Sequence, residues 1–436
     1  VSAPGYEGLW YSDLAAPVVE IGVGTTDAAL DNPVGLWDDA LWDSAGTGAW
    51  AGIEPDWVTV EPCSLLDIET SRGRSRWTEP FDAGSASITV DTRLSALEWG
   101  DQVVPSQLTI RPGRQLRITA LHQASGITYP IFRGWIESIV ETFQPDASPT
   151  VVVNAQDALA QISHVTLPSL IAPVGDGELS GARINRILDN AEWPTMWRNT
   201  DAGLAPMQGT YFASGTLLDE AKLTSDSEGG GFYADPDGIV RFRDRNWLRD
   251  APEAKTVQGI IGAGSGEYCA AEYVPARDGA DVVNDVQVNE QGGDLQRLTD
   301  SASIANYRRR VFQKTDYICT NPSDVTRLGQ RMLSSRKTAR ARIPSVSLTP
   351  VDSDTFAFVL GVRFGYRLEI KYEPGTAAMY DTGEPWTETV LVQGIAHHIT
   401  TTDWTCDLTV DDASAFPQEG WDHNAGWDVS LWAEAV

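Results

Sequence analysis

Apolar and polar residues trade places with a period near two at Ala86 to Val90, Gln115 to Ala120, Ile131 to Val140 and Val151 to Ala155. That period marks half-buried strands. Pro112-Gly113 and Pro145 separate the runs, so residues 57 to about 163 predict a compact antiparallel barrel or sandwich. The period then changes. Ile184, Ile187, Leu188 and Ala191 fall at i, i+3, i+4 and i+7, which predicts a helix capped by Ser180. A second helix is predicted from Thr216 to Ser225, burying Leu217, Leu218 and Ala221, and Phe232 to Phe242 reads as a hairpin turning at Asp237-Gly238. From about residue 256 strand patterns return at Val282 to Val288, Tyr307 to Phe312, Ser345 to Leu348, Arg363 to Tyr372, Thr389 to Ile399 and Thr405 to Val410. A helix predicted from Ser323 to Leu333 interrupts them.

Two of these β segments read as copies of one unit. Gly113 is followed by Leu116 and Ile118, and Gly365, 252 positions later, by Leu368 and Ile370 at the same offsets. Phe132-Arg133-Gly134-Trp135 matches Val392-Gln393-Gly394-Ile395 with a displacement of 260, and Asp157-Ala158 matches Asp412-Ala413 with one of 255. A duplicated β unit points to assembly more than to catalysis. The expected organisation is a Trp-rich arm over 1–56, a first β-barrel over 57–165, an α/β insert over 166–255, a second β-barrel with a helix over 256–413, and an acidic tail over 414–436.

The formal charge of −29 argues against a surface that grips phosphates, although DNA can slide past such a chain without sticking. Only Lys222, Lys255, Lys314, Lys337 and Lys371 are lysines among 32 basic residues, and the arginine bias indicates a GC-rich genome. The basic run from Arg336 to Arg342 reads as a solvated helix end or a partner contact. Cys63, Cys269, Cys319 and Cys406 lie far apart and are expected as small buried hydrophobes. No leader pattern and no membrane-length apolar stretch is visible, so a soluble chain made in a cytoplasm is expected.

Candidate chemistry is sparse. Gly22-Val23-Gly24 lacks the third glycine of a nucleotide loop, and Gly262, Gly264 and Gly266 around Ser265 do not form a nucleophile elbow. Asp235 and Asp237 invite calcium, but Asn246 stands where a closing glutamate belongs. His397 and His398 point to opposite faces of a strand, and His122, His164 and His423 are isolated. No catalytic, cofactor-binding or metal-binding residue is therefore assigned. Trp10, Trp37, Trp42 and Trp50, with Trp427 and Trp432 in the loose echo at the other end, are read as interface anchors that pin extended arms onto a neighbour.

The order of barrel, α/β insert and second barrel resembles the hub proteins of phage tails. Phe81 to Val90, Phe132 to Trp135, Asp235-Pro236-Asp237-Gly238, Arg241 to Arg243, and Gly394 to Thr400 followed by Trp404 are similar to minor tail proteins of long-tailed actinobacterial phages. The resemblance implies a mainly β fold of two tail-tube-like barrel or sandwich domains. It further implies a non-enzymatic homotrimer at the virion tail tip, in which two barrels per subunit adapt a threefold ring to a sixfold tube. The implied partners are the distal tail protein ring, the tape-measure protein and tip or fibre proteins, with DNA passing through unbound. A receptor- or carbohydrate-binding tail protein is the rival expectation, and a cell-wall hydrolase the third.

Overall fold

The structure is a computed structural model, and it describes residues 14–23, 55–92, 98–99, 109–143, 149–166, 172–210, 215–273, 281–339, 342–372 and 386–416. Trp10, Trp37, Trp42, Trp50, Trp427, Trp432 and His423 lie outside them. The fold is mostly β, with a large antiparallel sheet and a small α/β insert.

The first half of the chain contributes β1 (Ala15–Val23), β2 (Asp56–Thr59), β3 (Leu65–Gly73), β4 (Asp82–Asp91), the short parallel pair β5 (Glu98–Trp99) and β6 (Thr109–Ile110), then β7 (Gln115–His122), β8 (Ile127–Thr142) and β9 (Thr150–Gln156). Helix α1 (Ala158–Ser163) follows, and the insert holds α2 (Ser180–Asn190), β10 (Arg198–Thr200), α3 (Leu217–Glu228), β11 (Gly231–Ala234) and β12 (Val240–Arg243). The short helices α4 (Trp247–Asp250) and α5 (Pro252–Lys255) lead into β13 (Val257–Ile261) and β14 (Ala270–Tyr273). A separate three-stranded sheet is built from β15 (Asp285–Glu290), β16 (Gln296–Thr299) and β17 (Val311–Tyr317), with α6 (Ser301–Tyr307) between the last two and α7 (Pro322–Arg336) after them. The chain ends in β18 (Ser345–Leu348), α8 (Ser353–Gly361), β19 (Arg367–Tyr372), β20 (Trp386–Thr400) and β21 (Trp404–Asp412).

The main sheet runs β14-β18-β21-β20-β3-β4-β9-β8-β7-β1-β2, with β19 on β20 and β13 on β19. Its two halves repeat one plan: β3-β4-β9-β8-β7 answers to β14-β18-β21-β20-β19. The agreement reaches single hydrogen bonds. Gly113, at φ 87°, donates its N–H to Ile136, whose own N–H returns to Arg114; Gly365, at φ 82°, donates to Val392, whose N–H returns to Tyr366. A bulge skips Glu137 in β8 and Gln393 in β20, and another follows Leu65 in β3 and Ala270 in β14. Asp157 and Asp412 then cap the next helical turn through their side chains. Registers of β8 with β9 and of β20 with β21 coincide at displacements of 256 and 255, so Gly134 and Gly394, aligned in the sequence at 260, are not equivalent.

Two cores lie along this sheet, one under the first half and one under the second. They interlock, because Phe356 and Leu360 from α8, with Ile399 and Trp404 from the β20–β21 corner, are buried in the first. The insert has its own core, in which Ile184, Ile187 and Leu188 of α2 pack with α1, α3 and Trp193.

Several expectations change. Residues 15–23, read as part of an extended arm, form β1, whose Val19 and Ile21 are buried against β7. Ser180 is the first helical residue and not the cap; its hydroxyl instead donates to the buried Glu228 at 2.7 Å. Tyr307 ends α6, and the strand expected from there begins at Val311. Cys63 and Cys269 are exposed, while Cys319 and Cys406 are buried thiols. Arg336 and Arg342 are buried, Arg336 pairing with Asp411 at 2.8 Å and Arg342 donating to the Ser335 carbonyl, so neither is a solvated helix end.

Candidate functional site

The seam between the halves is the antiparallel pair β20 and β3, from Gly394 opposite Gly73 to Thr400 opposite Asp67. It opens on two glycines for a steric reason. At Gly73, with φ 123°, an added Cβ would fall 2.4 Å from the Gln393 carbonyl oxygen and the Gly394 Cα, so only glycine admits the approach. The bulge then turns the Gln393 side chain inward, where its Oε1 accepts from Arg74 Nε at 2.7 Å. Arg74 lies over the Phe81 ring and Arg72 over that of Phe364, and burial lowers each guanidinium to about 10.

Alternation sorts the remaining side chains. Inward go Ile395, His397 and Ile399, all buried; outward go Ala396, His398 and Thr400. Burial, followed by the charges of Arg72 and Arg363, pulls His397 down to about 3, so the ring is neutral and receives the Trp404 indole N–H at 3.5 Å.

The outward face is continuous across the seam. It carries Ser345 and Ser347 of β18, Thr405, Asp407 and Thr409 of β21, Asp67, Glu69 and Ser71 of β3, Ser85, Ser87 and Thr89 of β4, and Asn154 and Gln156 of β9. Among the described residues of these strands this face has no lysine or arginine. A shallow groove crosses it between Ser87, Asn154, Glu69, His398 and Asp407.

One cluster there escaped the sequence reading. His398 Nδ1 lies 3.2 Å from Glu69 Oε1 and 3.7 Å from Asp67 Oδ1. Desolvation raises the Asp67 carboxyl against the pull of His398, and its Oδ1 is buried without a hydrogen bond. Among the described residues these three bring donor atoms close enough to share a cation. Asp67-x-Glu69 is visible in sequence, but His398 joins it only through a pairing over three hundred residues away in the chain.

Three of the motifs weighed for chemistry in the sequence take part in local hydrogen bonding. Asp235 accepts the N–H groups of Asp237 and Ile239 and pairs with Arg241, which closes the hairpin and occupies the carboxylate. Gly264 donates its N–H to Glu267, closing a loop. His122 bridges Ser125 and Ser353, fastening β7 to the start of α8.

A duplicated sheet unit joined edge to edge, with an α/β insert between the copies, is a fold found in phage and prophage tail proteins. The tail protein from Neisseria meningitidis MC58 superposes with a TM-score of 0.57 at 11% identity, covering 92% of this chain and 99% of its own. The 43 kDa tail protein of prophage MuSo2 from Shewanella oneidensis gives a TM-score of 0.52 at 13% identity, covering 83% and 95%. These likenesses are of fold. No family model matches the chain, and no curated protein matches its sequence.

Proposed function

We propose that the chain is a structural virion protein of a phage-type tail, a homotrimeric hub at the tail tip whose continuous sheet lines an axial DNA channel. The observation that carries this reading is the seam: two equivalent units share one sheet wall, and among the described residues the outward positions of its six central strands are mostly Ser, Thr, Asn, Gln and carboxylates, with no lysine or arginine. Three such chains present six equivalent units, which suits a sixfold tube, and a stretch of wall without lysine or arginine does not hold passing phosphates. The residue ranges 57–165 and 256–413 correspond in this reading to the two tube-like domains, with 166–255 as the insert. Distal tail, tape-measure and tip proteins are its partners, and the arginine bias favours an actinobacterial host. The protein acts without catalysis.

Negative-stain imaging and sedimentation of the purified chain test the hub. A threefold ring with an open centre is expected. Monomers that bind host polysaccharide through the Trp-rich ends would instead make it a receptor-binding tail protein.

A further inference from the structure

We propose that the exposed run Arg308-Arg309-Arg310, with Arg297 joined to it, is a docking surface for a polypeptide segment of another protein that carries several closely spaced carboxylates. The proposal goes beyond the tail reading and does not depend on it.

Charge marks the place. Residues 296–315 hold four arginines and one lysine against the single Asp300, in a chain of net −29. The other described arginines are engaged, through carboxylates, carbonyl oxygens or aromatic rings in most cases, as Arg336 and Arg342 are in the interior. Arg308 and Arg310 are exposed, and among the described residues their guanidiniums meet no partner of any kind. With 61 acidic residues in the chain, two cations one position apart that take none of them are set toward something outside it.

The backbone holds them there. Arg308 closes α6 at φ 60° and ψ 172°, a conformation that is essentially glycine's alone. Asn284, fully buried, imposes it: its side-chain amide donates to the Arg308 carbonyl at 2.8 Å, and its Oδ1 accepts the Arg310 N–H at 2.8 Å. The loop thus keeps one shape before any partner arrives, which lowers the ordering cost of binding. Asp285 ties in the rest of the patch. Its buried carboxylate accepts Arg297 Nε at 2.9 Å and lies 3.3 Å from Arg309 Nε. One carboxylate serving two guanidiniums leaves both with N–H donors to spare.

The size of the patch selects the partner. Duplex DNA carries one charge per about 1.7 Å of its axis and needs a basic track along that axis, while a net charge of −29 opposes its approach. A short acidic segment needs only the loop. Forked guanidiniums match planar carboxylates two bonds at a time, and Val311, 53% exposed next to Arg310, adds an apolar contact.

A fluorescein-labelled hexaglutamate peptide, followed by anisotropy with the full chain at about 50 mM salt, tests the patch. The native chain should bind it, and added salt should release it. Arg308→Gly with Arg310→Ser should raise the dissociation constant at least about tenfold, whereas Lys222→Ser with Lys255→Ser, which removes the same two charges elsewhere, should change it less than about twofold. The arginine double variant should melt at the native temperature or above, because glycine relaxes position 308 and the Arg310 side chain has no partner to lose. No binding at millimolar peptide, an equal loss in both double variants, or tighter retention of a DNA duplex that the arginine variant abolishes would each overturn the proposal. Self-association of the native chain that the arginine variant abolishes would assign the patch to a second copy, and overturn it too.

Discussion

His397 and His398 are adjacent in the chain, yet one is sealed in the core beside Trp404 and the other stands on the outward face beside two carboxylates. The sheet pleat alone accounts for the split, and it gives His397 a pH signature. Its folded pKa of about 3 lies below the ordinary 6.5, so its contribution to stability is complete above pH 6.5 and is lost as pH falls toward 3. Asp157 has the opposite sign. Burial pushes it up to about 7 from 3.8, so its contribution is present in acid and is lost as pH rises through that window. The two slopes offset one another in the native chain, and the comparison that isolates His397 is with His397→Gln. Denaturation midpoints should move in favour of the variant by about 1.4 kcal/mol for each pH unit between about pH 6 and 4. A gap that does not change with pH would mean that His397 takes up protons in the fold as readily as out of it.

Among the elements, α8 shows why the halves behave as one body. It belongs to the second half by sequence, between β18 and β19, but Phe356 and Leu360 are buried in the first core, and Phe356 meets Trp404 edge to face at 5.3 Å. Phe356→Ala should cost about 3–5 kcal/mol, and calorimetry should still record one transition, because the cavity opens in a core that both halves build. Two separated transitions in the native chain would refute that coupling. Legibility followed locality. β18, β20, β21 and α7 were plain from period and caps, since each signal lies within its own residues. Helix α8 was not, because Phe356-Ala357-Phe358-Val359-Leu360 is apolar on most sides and leaves no stripe to read. β1 was hidden within a glycine- and tryptophan-rich segment. The repeat itself was legible at its ends and slipped by four residues in the middle. Gly134 and Gly394 look alike in sequence but meet different obstacles, the Gln156 carbonyl for one and Thr409 with the β3 backbone for the other. The bulges at Glu137 and Gln393, which carry no residue signature of their own, fix the true register. The cluster of Asp67, Glu69 and His398 was beyond reach for a related reason, since its two strands meet only through the seam.

For the whole molecule, the distribution of charge matters more than its total. A net −29 can be spread in many ways, but here the described outward positions of β18, β21, β20, β3, β4 and β9 carry no lysine or arginine, while Arg72 of β3 and Arg74 just beyond it are turned inward onto aromatic rings. A wall meant to hold DNA would show the reverse, because binding strength follows the number of phosphates neutralised. Placing lysines on that face should therefore convert a passive wall into a brake. Ser71, Ser85 and Asp407 are exposed, so Ser71→Lys, Ser85→Lys and Asp407→Lys together should leave the melting temperature nearly unchanged. In fluorescence anisotropy the native chain should not retain duplex DNA at about 50 mM salt. The triple variant should bind it, with log affinity falling against log salt by roughly 0.9 for each phosphate contacted. Particles assembled with the variant should then release their DNA more slowly, and raising the salt should restore the rate. Strong salt-dependent binding by the native chain, or normal release from variant particles whose hub binds DNA, would place this face away from the path of the genome.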